Sequence, residues 1–295
     1  MKKIIKCVVC NSENIRKHII SKDFSVTSEE FKIDKCLDCG FVFTNPIPKE
    51  KDLPKYYISK NYISHTNSNK SFFDKIYQSI RSIAIKDKFN LINSFDTQNK
   101  ILDIGSGTGE FLNYCKLNGW KVKGIEPSKI ARDNSIKKYQ FEVDEDTDLR
   151  SQSGEYDIIT MWHVLEHVYE LENTIIELKR LLKENGKLII AVPNLNSYDA
   201  QYYKKYWAAY DLPIHLYHFS KKSITKLFGK HQFNLLKDKG MIFDSFYVSL
   251  LSEEYKTGKK NVITASIIGA LSNIYGAFSK KGFSSTIYIF EHKNR

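Results

Sequence analysis

The stretch ILDIGSGTGE, residues 101–110, contains a glycine-rich turn whose residue spacing is typical of a ligand-binding site. Its opening residues have the composition of a buried strand, and glycines then alternate at Gly105, Gly107 and Gly109. A dinucleotide-binding fingerprint requires a last glycine where this chain has Glu110, and Asp103 would repel a pyrophosphate. The turn therefore predicts a ligand that carries positive charge.

A second acid follows at the end of the next apolar segment, WKVKGIEPS. Glu126 lies about twenty residues beyond the turn, where the fold rule places an acid that accepts hydrogen bonds from ribose hydroxyls. Alternatively, Glu126 only places negative charge at the start of the helix after Pro127. Together with Asp103 it favours S-adenosylmethionine, whose ammonium can pair with Asp103 while its carboxylate meets backbone N–H groups.

Four cysteines form two close pairs near the N-terminus, Cys7-x-x-Cys10 and Cys36-x-x-Cys39. Each pair can supply one knuckle of a tetrahedral Cys₄ zinc site, which has no open position and so stabilises the fold rather than catalysing a reaction. The alternative is four buried free thiols. The pattern predicts one structural Zn²⁺ in a module that is too small to fold unaided.

The segment HVLEH, residues 163–167, matches the inverted zinc-protease motif H-x-x-E-H. That chemistry requires the motif to lie within a helix and a third ligand to follow, whereas here the motif begins at the end of a predicted strand. In the alternative interpretation, Glu166 and His167 begin a helix and make only local contacts.

A further candidate lies in YYKKYWAAYDLPIHLYHFS, where His215 and His218 occur close to Asp211. Transfer of a methyl group to a hydroxyl or carbon acid requires removal of a proton, and histidine titrates in the suitable range. Either histidine could be the catalytic base. The alternative is that His215 only orders the loop.

The elements that must position these residues fall into three zones. Residues 1–48 form the cysteine module, and residues 49–98 form an aromatic segment and a helical connector or lid, including Tyr56, Tyr57, Tyr62 and His65. Residues 99–295 alternate strand and helix patterns, which predicts a Rossmann-like, doubly wound, mostly parallel sheet of seven strands in an α/β fold. Within this zone, residues 196–222 are expected to be a substrate-side insertion.

The pattern in this third zone sets approximate element bounds. Strands are expected near 100–104, 121–126, 141–144, 157–162 and 187–192, with further strands in QFNLLKD and SSTIYIFEHK. Helices are expected near 109–118, 128–138 and 171–184, the last of them capped by Gly186.

Composition narrows the classes of partner. The 295 residues carry a formal net charge of +11, but the lysines are spread over almost every segment. This favours a solvated basic surface over one nucleic-acid patch. The chain shows no signal-peptide pattern and no apolar run long enough to span a bilayer, so a cytoplasmic protein is expected.

The chain resembles the class I S-adenosylmethionine-dependent methyltransferases in five blocks: LDIGSGTGEF, VKGIEPS, YDIITMWHVLEHV, LLKENGKLIIAVPN and DLPIHLYHFS. It is most similar to a subgroup that has an N-terminal cysteine module and acts mostly on sugars, lipids and quinone-like compounds. By this resemblance, the cofactor-binding residues are Asp103, Gly105, Ser106, Gly107, Gly109, Glu126, Pro127, Asp146, Trp162 and His163. Asp146 is one of four acids after the third strand, with Asp144, Glu145 and Asp148, any of which could contact adenine.

The resemblance also implies the reaction. Its P-x-H-x-x-x-F-S pattern, with Pro213, Phe219 and Ser220, implies that His215 is the catalytic base. We expect methyl transfer from S-adenosylmethionine to the oxygen or carbon of a small-molecule or lipid-like acceptor, leaving S-adenosylhomocysteine. An RNA methyltransferase is one alternative, since a basic surface and a zinc module would suit RNA. A protein that senses S-adenosylmethionine without catalysis is the other. The sequence leaves open the acceptor, the oligomeric state and whether the zinc module touches substrate.

Overall fold

The computed structural model describes residues 1–57, 72–97 and 99–293. Within these ranges eleven strands form two sheets, and nine α-helices surround them. The strands are β1 (Ile15–Lys22), β2 (Glu30–Cys36), β3 (Val42–Thr44), β4 (Lys100–Ile104), β5 (Lys121–Ile125), β6 (Val143–Asp144), β7 (Tyr156–Trp162), β8 (Leu182–Pro193), β9 (Tyr217–His218), β10 (Phe233–Met241) and β11 (Ser285–His292). The helices are α1 (Pro54–Tyr57), α2 (Phe72–Asn93), α3 (Glu110–Leu117), α4 (Lys129–Tyr139), α5 (Leu171–Leu181), α6 (Tyr198–Tyr203), α7 (Lys221–Lys230), α8 (Asp244–Thr257) and α9 (Val262–Phe278).

The larger sheet has the order β10-β11-β8-β7-β4-β5-β6 among the described strands. The pairs from β8 to β6 are parallel, and β11 runs antiparallel to both β8 and β10. Both faces of β4 are covered, since Leu102 and Ile104 join one apolar cluster and Ile101 joins another. The predicted seven-stranded, mostly parallel α/β sheet is confirmed.

The connection between α5 and β8 differs from the sequence expectation. The helix predicted to reach residue 184 ends at Leu181, and the chain enters β8 at once. Leu182 is buried and pairs with Tyr156 of β7, so burial and sheet pairing end the helix before the ENGK segment. Gly186 is therefore a strand residue and not a helix cap.

Two helices near the C-terminus were not predicted. The first, α8, packs against α9, and both lie beside the substrate-side segment. The second, α9, exposes a row of apolar side chains that includes Ile263, Ile267, Ile274 and Phe278. None of the helices in the described part of the chain has the length and apolar character to cross a membrane.

The smaller sheet joins the cysteine module to the rest of the chain. Its order is β1-β2-β3-β9, so its last strand comes from residues 217–218, far along the sequence. Val42 pairs with His218 and Phe43 with Tyr217. The buried ring of Phe41 also packs on Tyr217 and Phe219, which makes the core of the module continuous with that of the large sheet.

Candidate active site

The glycine turn after β4 has the backbone geometry that the sequence indicates. Gly105, Gly107 and Gly109 all have positive φ, between 56° and 81°, a region that strongly favours glycine. A Cβ on Gly105 would lie 2.4 Å from Val164 Cγ2, so a side chain there would collide with the segment that follows β7. The turn thus brings backbone close to the carboxyl ends of β4 and β7.

Asp103 lies beneath this turn and is 2% exposed. Its Oδ1 accepts a hydrogen bond of 2.5 Å from Thr160 Oγ1 on β7. Burial raises the pKa of Asp103 to about 7, an effect that Thr160 and Lys88 only partly oppose. A cationic ligand group beside this carboxylate would relieve the cost of burying its charge.

Glu126 follows β5 and faces the same turn. Its Oε2 accepts from the N–H of Gly107 at 2.7 Å, and its Oε1 accepts from the N–H of Ser128 at 2.9 Å. A carboxylate has about four acceptor positions, so two remain for hydroxyl donors. Pro127 and Ser128 lead directly into α4, and Ser106 is buried within the turn.

Helix α2 adds two cations that sequence reasoning missed. Arg81 forms an ion pair of 2.9 Å with Glu110, and Lys88 Nζ lies 4.3 Å from the centre of the Trp162 ring. Burial lowers the pKa of Lys88, and the charges of Asp103 and Asp244 oppose this shift. Arg81 and Lys88 are seven residues apart, so they lie on the same face of α2. This spacing is the sequence signal from which the pair could have been identified.

Trp162 and His163 lie at the end of β7. The Trp162 Nε1 is buried and has no hydrogen-bond partner among the described residues. His163 Nε2 lies 3.0 Å from Asp244 Oδ2 of α8, and its Nδ1 lies 3.5 Å from Glu166 Oε1. Burial would lower the pKa of His163, but the two carboxylates outweigh it and raise the pKa to about 10.

Asp146 lies in the exposed loop after β6. Its Oδ1 accepts a hydrogen bond from the backbone N–H of Asp148, which shapes the loop. Two neighbouring acids are committed elsewhere, because Asp144 pairs with Lys123 and Glu145 pairs with Arg132. The assignment of Asp146 to adenine stays a prediction.

His215 lies in a buried cluster beside the cofactor residues. Its Nδ1 lies 2.9 Å from the carbonyl oxygen of Ala209, and its Nε2 lies 4.0 Å from Glu166 Oε1 and 3.9 Å from Asp211 Oδ2. Burial lowers the pKa of His215 and raises that of Asp211 to about 6. His215 is therefore neutral at pH 7 and can accept a proton.

The cysteine module holds His215 in place. Thr44 Oγ1 of β3 donates a 2.7 Å hydrogen bond to the carbonyl of His215 and lies 3.1 Å from His218 Nε2. From the other side, the N–H of Leu216 donates to the carbonyl of Glu166. Within the lid segment, Tyr57 OH lies 3.4 Å from His167 Nδ1, whereas Tyr62 and His65 lie outside the described residues.

The HVLEH segment does not adopt the geometry of a zinc protease. The segment follows β7 directly, and its last three residues form a short 3₁₀ turn, Leu165–His167. The His163 ring lies against Asp244. The group that could hold a metal is instead Glu166, His167 and His215, whose candidate ligand atoms lie within 4.8 Å of one another.

The four N-terminal cysteines converge as predicted for a metal site. The sulfurs of Cys7 and Cys39 are 3.5 Å apart, as are those of Cys10 and Cys36. All four lie within 4.8 Å of one another, which fits the spacing of about 3.8 Å expected around a tetrahedral ion with zinc–sulfur bonds near 2.3 Å. The donor set and its geometry suit Zn²⁺.

Comparisons with known proteins agree with this geometry. A family model described as a methyltransferase domain matches residues 77–238. The chain is 30% identical over 182 residues to a ubiquinone biosynthesis O-methyltransferase of Pelagibacter ubique, covering 53% of this chain and 75% of that protein. It is 29% identical over 108 residues to the protein of that name from Erwinia tasmaniensis, covering 33% of this chain and 44% of the relative.

The fold is also shared with magnesium protoporphyrin IX methyltransferase from Synechocystis PCC 6803, solved with bound SAH. The TM-score is 0.53 at 15% sequence identity, over 82% of this chain and 99% of that protein. The chain belongs to the class I S-adenosylmethionine-dependent methyltransferase family. Its turn fits that cofactor, because Asp103 is a buried carboxylate and Glu126 has acceptor positions to spare.

Proposed function

We propose that this methyltransferase acts on a hydroxyl group of a small-molecule or lipid-like acceptor. The observation that carries the proposal is the buried cluster around His215, which lies next to the cofactor residues through Glu166 and His163. The side chains of His215, Glu166 and Asp211 present lone pairs and carboxylates, which suit an uncharged hydroxyl better than the phosphate backbone of RNA. The two ubiquinone biosynthesis O-methyltransferases support oxygen as the acceptor atom.

On the cofactor side, we propose that Asp103 pairs with the ammonium of S-adenosylmethionine and that Glu126 accepts from its ribose hydroxyls. Gly105, Ser106, Gly107, Gly109 and Pro127 would shape the turn around it, and Trp162 and His163 would form the pocket wall. S-adenosylmethionine supplies an electrophilic methyl group on a sulfonium. Transfer forms a carbon–oxygen bond, breaks a carbon–sulfur bond, and releases S-adenosylhomocysteine and the proton of the acceptor.

On the acceptor side, we propose that His215 activates the hydroxyl. The hydrogen bond from Nδ1 to the Ala209 carbonyl fixes the ring and leaves the Nε2 lone pair facing the cluster. Residues 1–48 would carry one structural Zn²⁺ and position His215 through β3, and residues 196–222 would supply the acceptor pocket. The described parts of the segment 49–98 would cover the site, with Tyr57 next to His167 and Lys88 next to Trp162.

The test is to incubate the purified protein with methyl-labelled S-adenosylmethionine and an extract of its source cells, with and without nuclease. We expect label in small or lipid-soluble molecules that survive nuclease, and none when His215→Ala replaces the native protein. Label that becomes acid-soluble only after nuclease would identify RNA as the acceptor. Cofactor binding without any labelled product, in extracts that support the labelling of other acceptors, would favour a sensing protein.

A further inference from the structure

Three side chains from two distant segments meet in the acceptor cluster. Glu166 and His167 come from the turn after β7, and His215 comes from the loop before β9. Their candidate ligand atoms lie within 4.8 Å of one another. A pair of imidazoles with one carboxylate is a donor set that binds divalent transition metals and leaves a coordination position open.

Both imidazoles are oriented as metal ligands are. The Nδ1 of His167 lies 3.1 Å from the carbonyl oxygen of Ile214, and the Nδ1 of His215 lies 2.9 Å from that of Ala209. A carbonyl oxygen can only accept, so each Nδ1 must carry the hydrogen and each Nε2 must carry a lone pair. Backbone carbonyls fix the tautomer of metal-binding histidines in this way.

The third member is a buried carboxylate without hydrogen bonds. Glu166 is 0% exposed, and within the described parts of the chain neither Oε1 nor Oε2 has a hydrogen-bond partner. Its Oε1 lies 3.5 Å from Nδ1 of His163, whose positive charge offsets the negative charge of Glu166. The His163 imidazolium therefore balances one charge, and a metal ion between Glu166 and His215 would bind the carboxylate lone pairs that have no hydrogen bond.

The centre of the cluster is surrounded by acceptors. The Nε2 of His215 faces carboxylate oxygens of Glu166 at 4.0 Å and Asp211 at 3.9 Å, both too long for a hydrogen bond. Lone pairs that converge across such gaps repel one another unless an electrophile lies between them. Ligand atoms around Zn²⁺ lie about 3.4 Å apart, so the side chains need only close slightly to bind an ion.

We infer that Glu166, His167 and His215 bind one divalent transition-metal ion, whose open position takes the acceptor's hydroxyl oxygen. This rests on the proposed function for the identity of the acceptor. With the ion bound, the Nε2 of His215 is a metal ligand and no longer the base, a role that passes to Asp211. The ion lowers the pKa of the hydroxyl, and the Asp211 carboxylate receives its proton. The Cys₄ site is separate and holds its own ion.

The experiment is a zinc titration of the full-length protein by equilibrium dialysis, with bound metal measured by mass spectrometry and no acceptor present. We expect about two Zn²⁺ per chain in the native protein and one in both Glu166→Gln and His215→Ala. The matched control is His231→Gln, a partly buried histidine at the end of α7, which should keep two. Cofactor affinity, measured in each variant, reports whether the domain is folded.

Each outcome decides the inference. One Zn²⁺ in the native protein, or two in Glu166→Gln and His215→Ala, overturns it. Loss of the second ion in His231→Gln as well would mean non-specific surface binding and would also overturn it. If only one ion binds but small molecules are still methylated, the proposed function stands without the metal. If two ions bind but RNA is methylated, the site stands and the acceptor class is wrong.

Discussion

The cofactor half of the site and the acceptor half are built in opposite ways. Asp103, Gly105, Gly107 and Glu126 come from two successive strand ends, and backbone geometry and short hydrogen bonds hold them. Thr44, Glu166 and His215 come from three segments, 122 and 49 residues apart along the chain, and meet only through tertiary packing. A local motif therefore defines the first half, whereas the second half depends on the whole fold.

The sharpest test of this division is His215→Ala. If the acceptor half is chemically distinct, turnover should fall by about 10² to 10⁴ because deprotonation of the acceptor is lost. Affinity for S-adenosylmethionine should stay the same, because His215 does not touch Asp103 or Glu126. Single-turnover rates and calorimetric cofactor binding measure the two effects, and a matching loss of cofactor affinity would contradict the division.

The converse test is Gly105→Ala in the cofactor half. The new Cβ would meet Val164 Cγ2 at 2.4 Å in a left-handed backbone conformation, so we expect a loss of roughly 2 to 4 kcal/mol in unfolding free energy. Cofactor affinity should fall as well. The control is Gly119→Ala, also left-handed but with no described atom within 4 Å, which should lose only about 1 kcal/mol in urea unfolding.

A third test asks whether the cysteine module belongs to the acceptor half. We expect Cys36→Ser to lose the tightly held zinc ion, about one per chain, and to loosen β3. Because Thr44 of β3 holds His215, the KM for the acceptor should rise while cofactor affinity changes little. A Cys115→Ser variant, which alters a buried cysteine on α3, should keep its zinc. An equal loss of both affinities in Cys36→Ser would show that the module supports the entire domain.

The smallest effect is expected from pH. Burial raises the pKa of Asp103 to about 7, so the free site binds a proton as the pH falls below that value. A cationic cofactor needs the carboxylate, and its affinity should weaken about fivefold between pH 7 and pH 6 and level off above pH 8. Calorimetry across this range measures it. The control Asp103→Asn should bind weakly at every pH, and a native profile as flat as that of the variant would refute the ammonium pairing.

The sequence predicted that the candidate cofactor residues would lie together, because their signals are local. The three glycines, Asp103 and Glu126 lie in order along two βα units, so spacing alone implies their proximity. The acceptor cluster has no such signal. His167 and His215 are 48 residues apart, and their rings meet where the Leu216 N–H donates to the Glu166 carbonyl. Likewise, Gly186 was predicted to cap α5, but the helix ends at Leu181 because pairing of Leu182 with β7 outweighs the local helix propensity.

The two-residue strand β9 has a consequence for how such proteins diversify. It completes a sheet that belongs to the cysteine module, and the proposed catalytic histidine lies next to it. If that role holds, the module is a part of the acceptor pocket. If the module were exchanged between relatives, the strand β3 that contacts His215 would change position. We expect such a chimera to differ in acceptor specificity as well as in its zinc ligands.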